Sequence, residues 1–164
     1  MGLKQLLIIR HAKSSWALAG QEDFDRPLND RGQRDAPMMA KRLLDRKVGI
    51  DMLISSPANR ALSTARYFAD VYEMGKDRLA TIKQLYHAYP PAFYEVISEI
   101  NDSIRTAAIF SHNPGITAFV NDLTDTRIDD IPTCAIFAVK AETDHWKDFR
   151  RAKKTFWFFD YPKL

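Results

Sequence analysis

Apolar residues in this chain fall into short runs separated by stretches of three- and four-residue periodicity. The runs are LLII at 6–9, DMLIS at 51–55, ATIKQLY at 80–86, AAIF at 107–110, CAIFAV at 134–139 and FWFF at 156–159. Each has the length of a buried strand. Between them, residues 29–46 place Ala36, Met39, Ala40, Leu43 and Leu44 at helical spacing with charges between. Pro37 interrupts that pattern and costs a backbone hydrogen bond unless it falls in the first turns. Residues 57–72 predict a second helix with Pro57 at its first position. PAFYEVISEI (91–100) and GITAFVNDL (115–123) predict two shorter ones. Alternating strands and helices predict an α/β fold with helices on both faces of a sheet. No convincing helix separates the last two runs, so they are expected to pair antiparallel in a mixed sheet.

Three of the predicted strands end in side chains of one chemical kind. The first runs into Arg10 and His11, the second into SSPANR with Arg60 on the following helix, and the fourth into SHNPG with His112. Ligands of open α/β sheets sit beyond the carboxyl ends of the strands. Two arginines and two histidines are therefore expected to converge on one edge.

Composition narrows the setting. The 164 residues fit one domain, 1–164, with a sizeable core, and no repeat or linker divides them. No apolar stretch approaches the length of a membrane span, and the N-terminal run is too short for a signal peptide, so a soluble cytoplasmic protein is expected. The single Cys134 agrees. A net charge of +3 favours anions mildly. It lacks the basic stripe of a nucleic-acid binder. The nearest cluster, Arg150, Arg151, Lys153 and Lys154, reads as a solvated turn. The histidines lack zinc-site spacing, and no metal or cofactor is expected.

The converging residues suit a phosphoryl group. Arginine forks match phosphate oxygens, and a helix N-terminus adds donors. A histidine there serves either as ligand or as nucleophile. Neighbouring arginines disfavour the imidazolium, so His11 is expected neutral; a backbone carbonyl on one ring nitrogen would aim the lone pair of the other.

LLIIRHAKSS, DRPLNDRGQRDA, ISSPANRALSTA and FSHNPGI match, in order, the motifs of the histidine phosphatase superfamily, which includes the cofactor-dependent phosphoglycerate mutases. The chain's short length, RHAKS and SHNPG resemble the SixA-type phosphohistidine phosphatases most. The resemblance implies a three-layer α/β/α sandwich on a mostly parallel six-stranded sheet with one antiparallel strand. It implies His11 as the phosphorylated nucleophile, with Arg10, Arg60 and His112 completing a phosphate pocket that needs no metal. Lys13 and Ser14, just behind the nucleophile, are candidate substrate contacts.

The chain departs from mutase-like relatives at three places. Ala12 stands where many have Gly, Ala17 where they carry an Asn, and His87, in QLYHA, where they carry a Glu acid. A general acid matters most for poor leaving groups such as alkoxides. The N-phosphoryl bond of phosphohistidine has a better one, so a site without that Glu suits it. His87 remains a candidate acid or phosphate contact. Only residues 86–92, YHAYPPA, look like a lid, and Trp16, Tyr86 and Tyr89 are expected at the rim of an open site.

Other chemistry is set aside. DFD at 23–25 lacks the preceding strand and following Thr of an aspartyl phosphatase, and Cys134 lacks an arginine six residues on. His145 is expected exposed. Three functions stay in competition: a phosphatase for phosphohistidine in a protein partner, an enzyme for a small phosphorylated metabolite, and a phosphate-binding module without turnover. Neither nucleic acid nor membrane is expected as a partner.

Overall fold

In β1 (Leu3–Arg10), successive side chains enter two different cores. Leu6 and Ile8 pack into one, Leu7 and Ile9 into the other, and all four are fully buried. That double burial is why the run reads as continuously apolar rather than alternating. Each such side chain contributes roughly 2 kcal/mol by leaving water. The computed structural model describes residues 2–16 and 19–163. Ala17, the position of the missing mutase-type Asn, lies outside the described residues.

The remaining strands are β2 (Met52–Ser55), β3 (Leu79–Thr81), β4 (Thr106–Ser111), β5 (Ile136–Glu142) and β6 (Lys154–Asp160). Their order in the sheet is β3-β2-β4-β1-β5-β6. β3, β2, β4 and β1 run parallel. β5 is antiparallel to β1 and to β6, and is the one reversed strand. The expected mostly parallel sheet with one antiparallel strand is the one observed.

Helices α1 (Asp30–Asp45) and α2 (Asn59–Val71) cover one face; α3 (Pro90–Ser98) and α4 (Gly115–Leu123) cover the other. Asn29 caps α1 by accepting from the Gly32 N–H at 2.9 Å. Pro37 falls in the interior of α1, where the backbone bond it forgoes is the one to the carbonyl of exposed Gln33.

Two boundaries differ from expectation. Pro57 precedes α2 instead of starting it, because Ser56 and Pro57 form the turn out of β2. The 80–86 run is not one strand: β3 stops at Thr81, and residues 83–85 wind into a 3-10 turn. That turn buries Leu85 and delivers residues 86–89 to the end of the sheet.

Candidate active site

β2, β4 and β1 are neighbours and end in register, Arg10 opposite Ser111 and Ser55 opposite Phe110. Their carboxyl ends therefore place Arg10, His11, Ser56 and His112 together. The backbone of the first pair is clamped from both sides. His11 N–H donates to Ser111 O at 3.1 Å, and Cys134 N–H donates to the carbonyls of Arg10 and His11, each at 3.0 Å. Cys134 adopts φ 62° to do so, and its buried thiol is pushed up in pKa by burial. Such a thiol is inert, as expected of this residue.

The opening strand thus ends as a rigid mount for two side chains. His11 is 6% exposed. Its Nδ1 lies 2.7 Å from Ala12 O, and a carbonyl only accepts, so Nδ1 carries the proton and Nε2 the lone pair. Burial, with Arg60, Arg10 and Arg26 adding to it, lowers the His11 pKa to about 3 against the opposing pull of that carbonyl. The ring is neutral near pH 7.

The His112 and His11 ring centroids are 5.2 Å apart. His112 Nε2 lies 2.7 Å from Ser56 Oγ, which already accepts the Ala58 N–H at 3.2 Å. With the Ala58 N–H on Ser56 Oγ, the arrangement suits a Ser56 proton donated to Nε2 and a His112 proton on Nδ1. Burial, then the neighbouring His11 and Arg60, lower the His112 pKa to about 2, so this ring too is neutral.

Arg60, in the first turn of α2, is 5% exposed. Nη1 donates to Asp23 O at 2.7 Å and Nη2 to Asp23 Oδ2 at 3.0 Å. Thr64, one turn on, joins this helix to the nucleophile loop: its Oγ1 accepts from Ala12 N–H at 2.9 Å and donates to Arg60 O at 2.8 Å. Arg10 Nη1 donates to Ile131 O at 2.7 Å.

Arg10, His11, Arg60 and His112 line one cavity of about 360 Å³. Lys13, Ser14 and His87 line it too, so all seven candidates from the sequence come to one place. Lys13 and His87 are exposed at its mouth, and His87 stacks on Tyr86 with ring centroids 4.0 Å apart. Trp16 and Tyr89 are exposed at the rim, Trp16 over Arg26 at 3.4 Å.

Only three buried side-chain nitrogens lack a hydrogen-bond partner among the described residues: Arg10 Nε, Arg60 Nε and His112 Nδ1. Buried donors are rarely left so. All three belong to residues of this cavity, which also holds Lys13 and Arg26.

The sequence pattern of the histidine phosphatase superfamily (branch 1) matches residues 6–85. The chain is 31% identical over 151 residues to the uncharacterized protein Rv1276c of Mycobacterium tuberculosis, covering 85% of this chain and 90% of that one. It belongs to the histidine phosphatase superfamily. Its fold is also that of the SixA structure from Agrobacterium tumefaciens, with TM-score 0.82 and 22% identity over 97% of this chain and 98% of the other. The protein histidine phosphatase SixA complexed with tungstate superposes with TM-score 0.78 and 23% identity, covering 97% of both chains. The superfamily match spans Arg10, His11 and Arg60; His112 lies beyond it and joins the site through the sheet.

Sequence reasoning missed Asp23, Ser56 and Thr64 as parts of the site. Thr64 had a signal, four residues after Arg60 on one helix face. Asp23 had none, since 37 residues separate it from its partner. The two features set aside differ in outcome. His145 is exposed, as expected, and paired with Asp102, whereas Lys154 departs from a solvated turn: it is half-buried at the start of β6, and its Nζ donates to the carbonyls of Phe149, Arg150 and Ala152. Among the described residues no helix is long and apolar enough to cross a membrane, and no three His, Cys, Asp or Glu side chains group as metal ligands.

Proposed function

We propose that the protein is a phosphatase that takes a phosphoryl group onto Nε2 of His11 and passes it to water, and that the donor is a phosphohistidine on another protein. The observation that carries this reading is the convergence of Arg10, Arg60 and His112 on one cavity with a histidine whose free lone pair is on Nε2.

In the first step the Nε2 lone pair attacks phosphorus, and the bond to the donor nitrogen breaks with its electrons staying on the leaving imidazole. A proton already on the donor's other nitrogen makes that imidazole leave neutral. Arg10, Arg60 and the Nδ1–H of His112 would hold the phosphoryl oxygens, where charge is spread in the transition state. Phospho-His11 keeps its Nδ1 proton on Ala12 O, so the intermediate is cationic at the ring and His11 leaves neutral in turn. Water then bonds to phosphorus, the P–Nε2 pair returns to the ring, and the water proton passes to solvent.

Two features favour a protein donor over a small metabolite. His87 replaces the mutase-type Glu, which suits a good leaving group. The segment over the site is short, and the rim presents Trp16 at 77% and Tyr89 at 55% exposure, as a surface for another macromolecule would. The test compares phosphate release from a phosphohistidine peptide and from para-nitrophenyl phosphate, with wild type and His11→Ala. Preference for the peptide, lost in the variant, is expected. Equal or faster ester turnover would favour a metabolite and make His87 an effective acid. Activity unaffected by His11→Ala would refute the mechanism.

A further inference from the structure

Arg60, the most deeply buried arginine of the cavity, spends both terminal nitrogens on one residue. Nη1 gives one N–H to the main-chain oxygen of Asp23 and Nη2 one to its carboxylate, while Nε is buried and without a partner. Asp23 is the one carboxylate among the described residues lining that cavity, which also holds Arg10, Arg26 and Lys13. The edge of the guanidinium that faces Asp23 is closed to a phosphoryl group while this pair lasts.

We propose that Asp23 is a built-in competitor for Arg60, so that a phosphoryl group enters the pocket by taking the guanidinium fork from the Asp23 carboxylate, and product phosphate leaves as Asp23 takes it back. This inference rests on the phosphate-pocket reading above and deepens it.

The surroundings of Asp23 fit an exchange. Its Oδ2 also accepts from the Tyr86 hydroxyl at 2.6 Å, and its Oδ1 from Arg26 Nε at 3.1 Å. Burial alone would raise its pKa, but Tyr86, Arg60 and Arg26 outweigh that and hold it at about 2. It is an anion at every working pH. A carboxylate and a phosphoryl dianion on the same fork repel at close range, so they compete rather than share. A released Asp23 is not stranded, because Tyr86 and Arg26 still hold it. Its side chain is 42% exposed on the three-residue turn Asp23–Asp25, so a small movement toward water stays within hydrogen-bonding surroundings.

The role also solves a physical difficulty of the site. Arg10, Arg26 and Arg60 stand close enough that each depresses its neighbour's basicity or that of His11. That concentration of positive charge favours retention of product phosphate. An internal carboxylate lowers the affinity for product by the free energy of the ion pair that must break. The substrate meets the same barrier but brings further contacts outside the pocket.

The experiment titrates inorganic phosphate and orthovanadate into wild type, Asp23→Asn and Asp23→Ala by calorimetry. Asp23→Ala guards against the amide acting as a substitute acceptor. Asp25→Asn is the control, because it removes the same charge from the same turn with no side-chain link to Arg60. Both Asp23 variants are expected to bind phosphate about fivefold or more tightly, the equivalent of an ion pair of about 1 kcal/mol. Asp25→Asn is expected to change it less than twofold. In an Arg60→Ala background, Asp23→Asn should have no effect. Unchanged or weaker binding in the Asp23 variants would overturn the inference, as would equal tightening by Asp25→Asn, since that is a general field effect. If wild type binds neither anion, the phosphate pocket itself is wrong; if it binds both and Asp23→Asn is silent, only the competitor role fails.

Discussion

The Ser56 hydroxyl and the His112 ring are joined by a 2.7 Å hydrogen bond at Nε2. With Ser56 Oγ already accepting from the Ala58 N–H, the bond favours a Ser56 proton on Nε2 and an N–H at Nδ1 of His112. Ser56→Ala frees the ring to take the other tautomer, with an acceptor at Nδ1 facing the same anion as Arg10 and Arg60. The expected outcome is a roughly tenfold lower kcat, the worth of about 1.4 kcal/mol of transition-state stabilisation. Ser56→Thr, which keeps the hydroxyl, should restore most of it. Full activity in Ser56→Ala would show that the hydroxyl has no part in setting the ring.

Thr64 holds Ala12 and Arg60 to one oxygen and is fully buried. Thr64→Val keeps the shape and removes the polar atom. The Ala12 N–H then loses its acceptor, which costs about 1–3 kcal/mol. A lower denaturation midpoint in urea with an unchanged m-value is expected. Activity should fall as well, because Ala12 also carries the carbonyl that orients His11.

Gly115 opens α4 where the helix meets the 87–89 segment. A methyl group there would run into the carbonyl of Ala88. Gly115→Ala must therefore move either His112 or the rim residues His87 and Tyr89. The change should raise KM and lower kcat together without unfolding the protein. Kinetics indistinguishable from wild type would show that this close approach does not hold the site together.

The two buried histidines give stability a direction with pH. Their folded pKa values, about 3 and about 2, lie below the ordinary 6.5. Between those limits the unfolded chain binds more protons than the folded one, so stability falls as pH is lowered from 6.5. The slope is at most about 1.4 kcal/mol per pH unit for each ring. Asp23 acts in the same sense but lower, between 3.8 and about 2. Melting temperatures from pH 7.5 to 4.5 should decline in wild type, and less steeply in His112→Gln. Equal slopes would mean that His112 is not held neutral.

The parallel strands β1 and β4 were legible because their apolar runs are buried on both faces and bounded by polar or charged residues. The site residues were legible for a related reason: the sheet carries its chemistry just past strand ends, so RH, SSPANR and SHNPG stand next to unmistakable runs. Where reading failed, the competing force was local. Leu85 has no strand neighbour and turns inward to fill the core under α3, which ends the 80–86 run early. Pro57 reads as a helix start, yet the turn bonded through Ser56 takes it first. Asp23 lay in a motif-poor loop, and its meaning depends on a contact across 37 residues that no local pattern encodes.

β1 stands between β4 and β5 with a core against each face. The backbone amides of Leu6 to Ile9 should accordingly exchange with deuterium only when the whole domain opens, whereas those of the 82–89 segment exchange through local fluctuation. Heating short of denaturation would then blunt recognition at the rim while Arg10 and His11 keep their places, so a warmed sample would lose discrimination between substrates before it loses the capacity to accept a phosphoryl group.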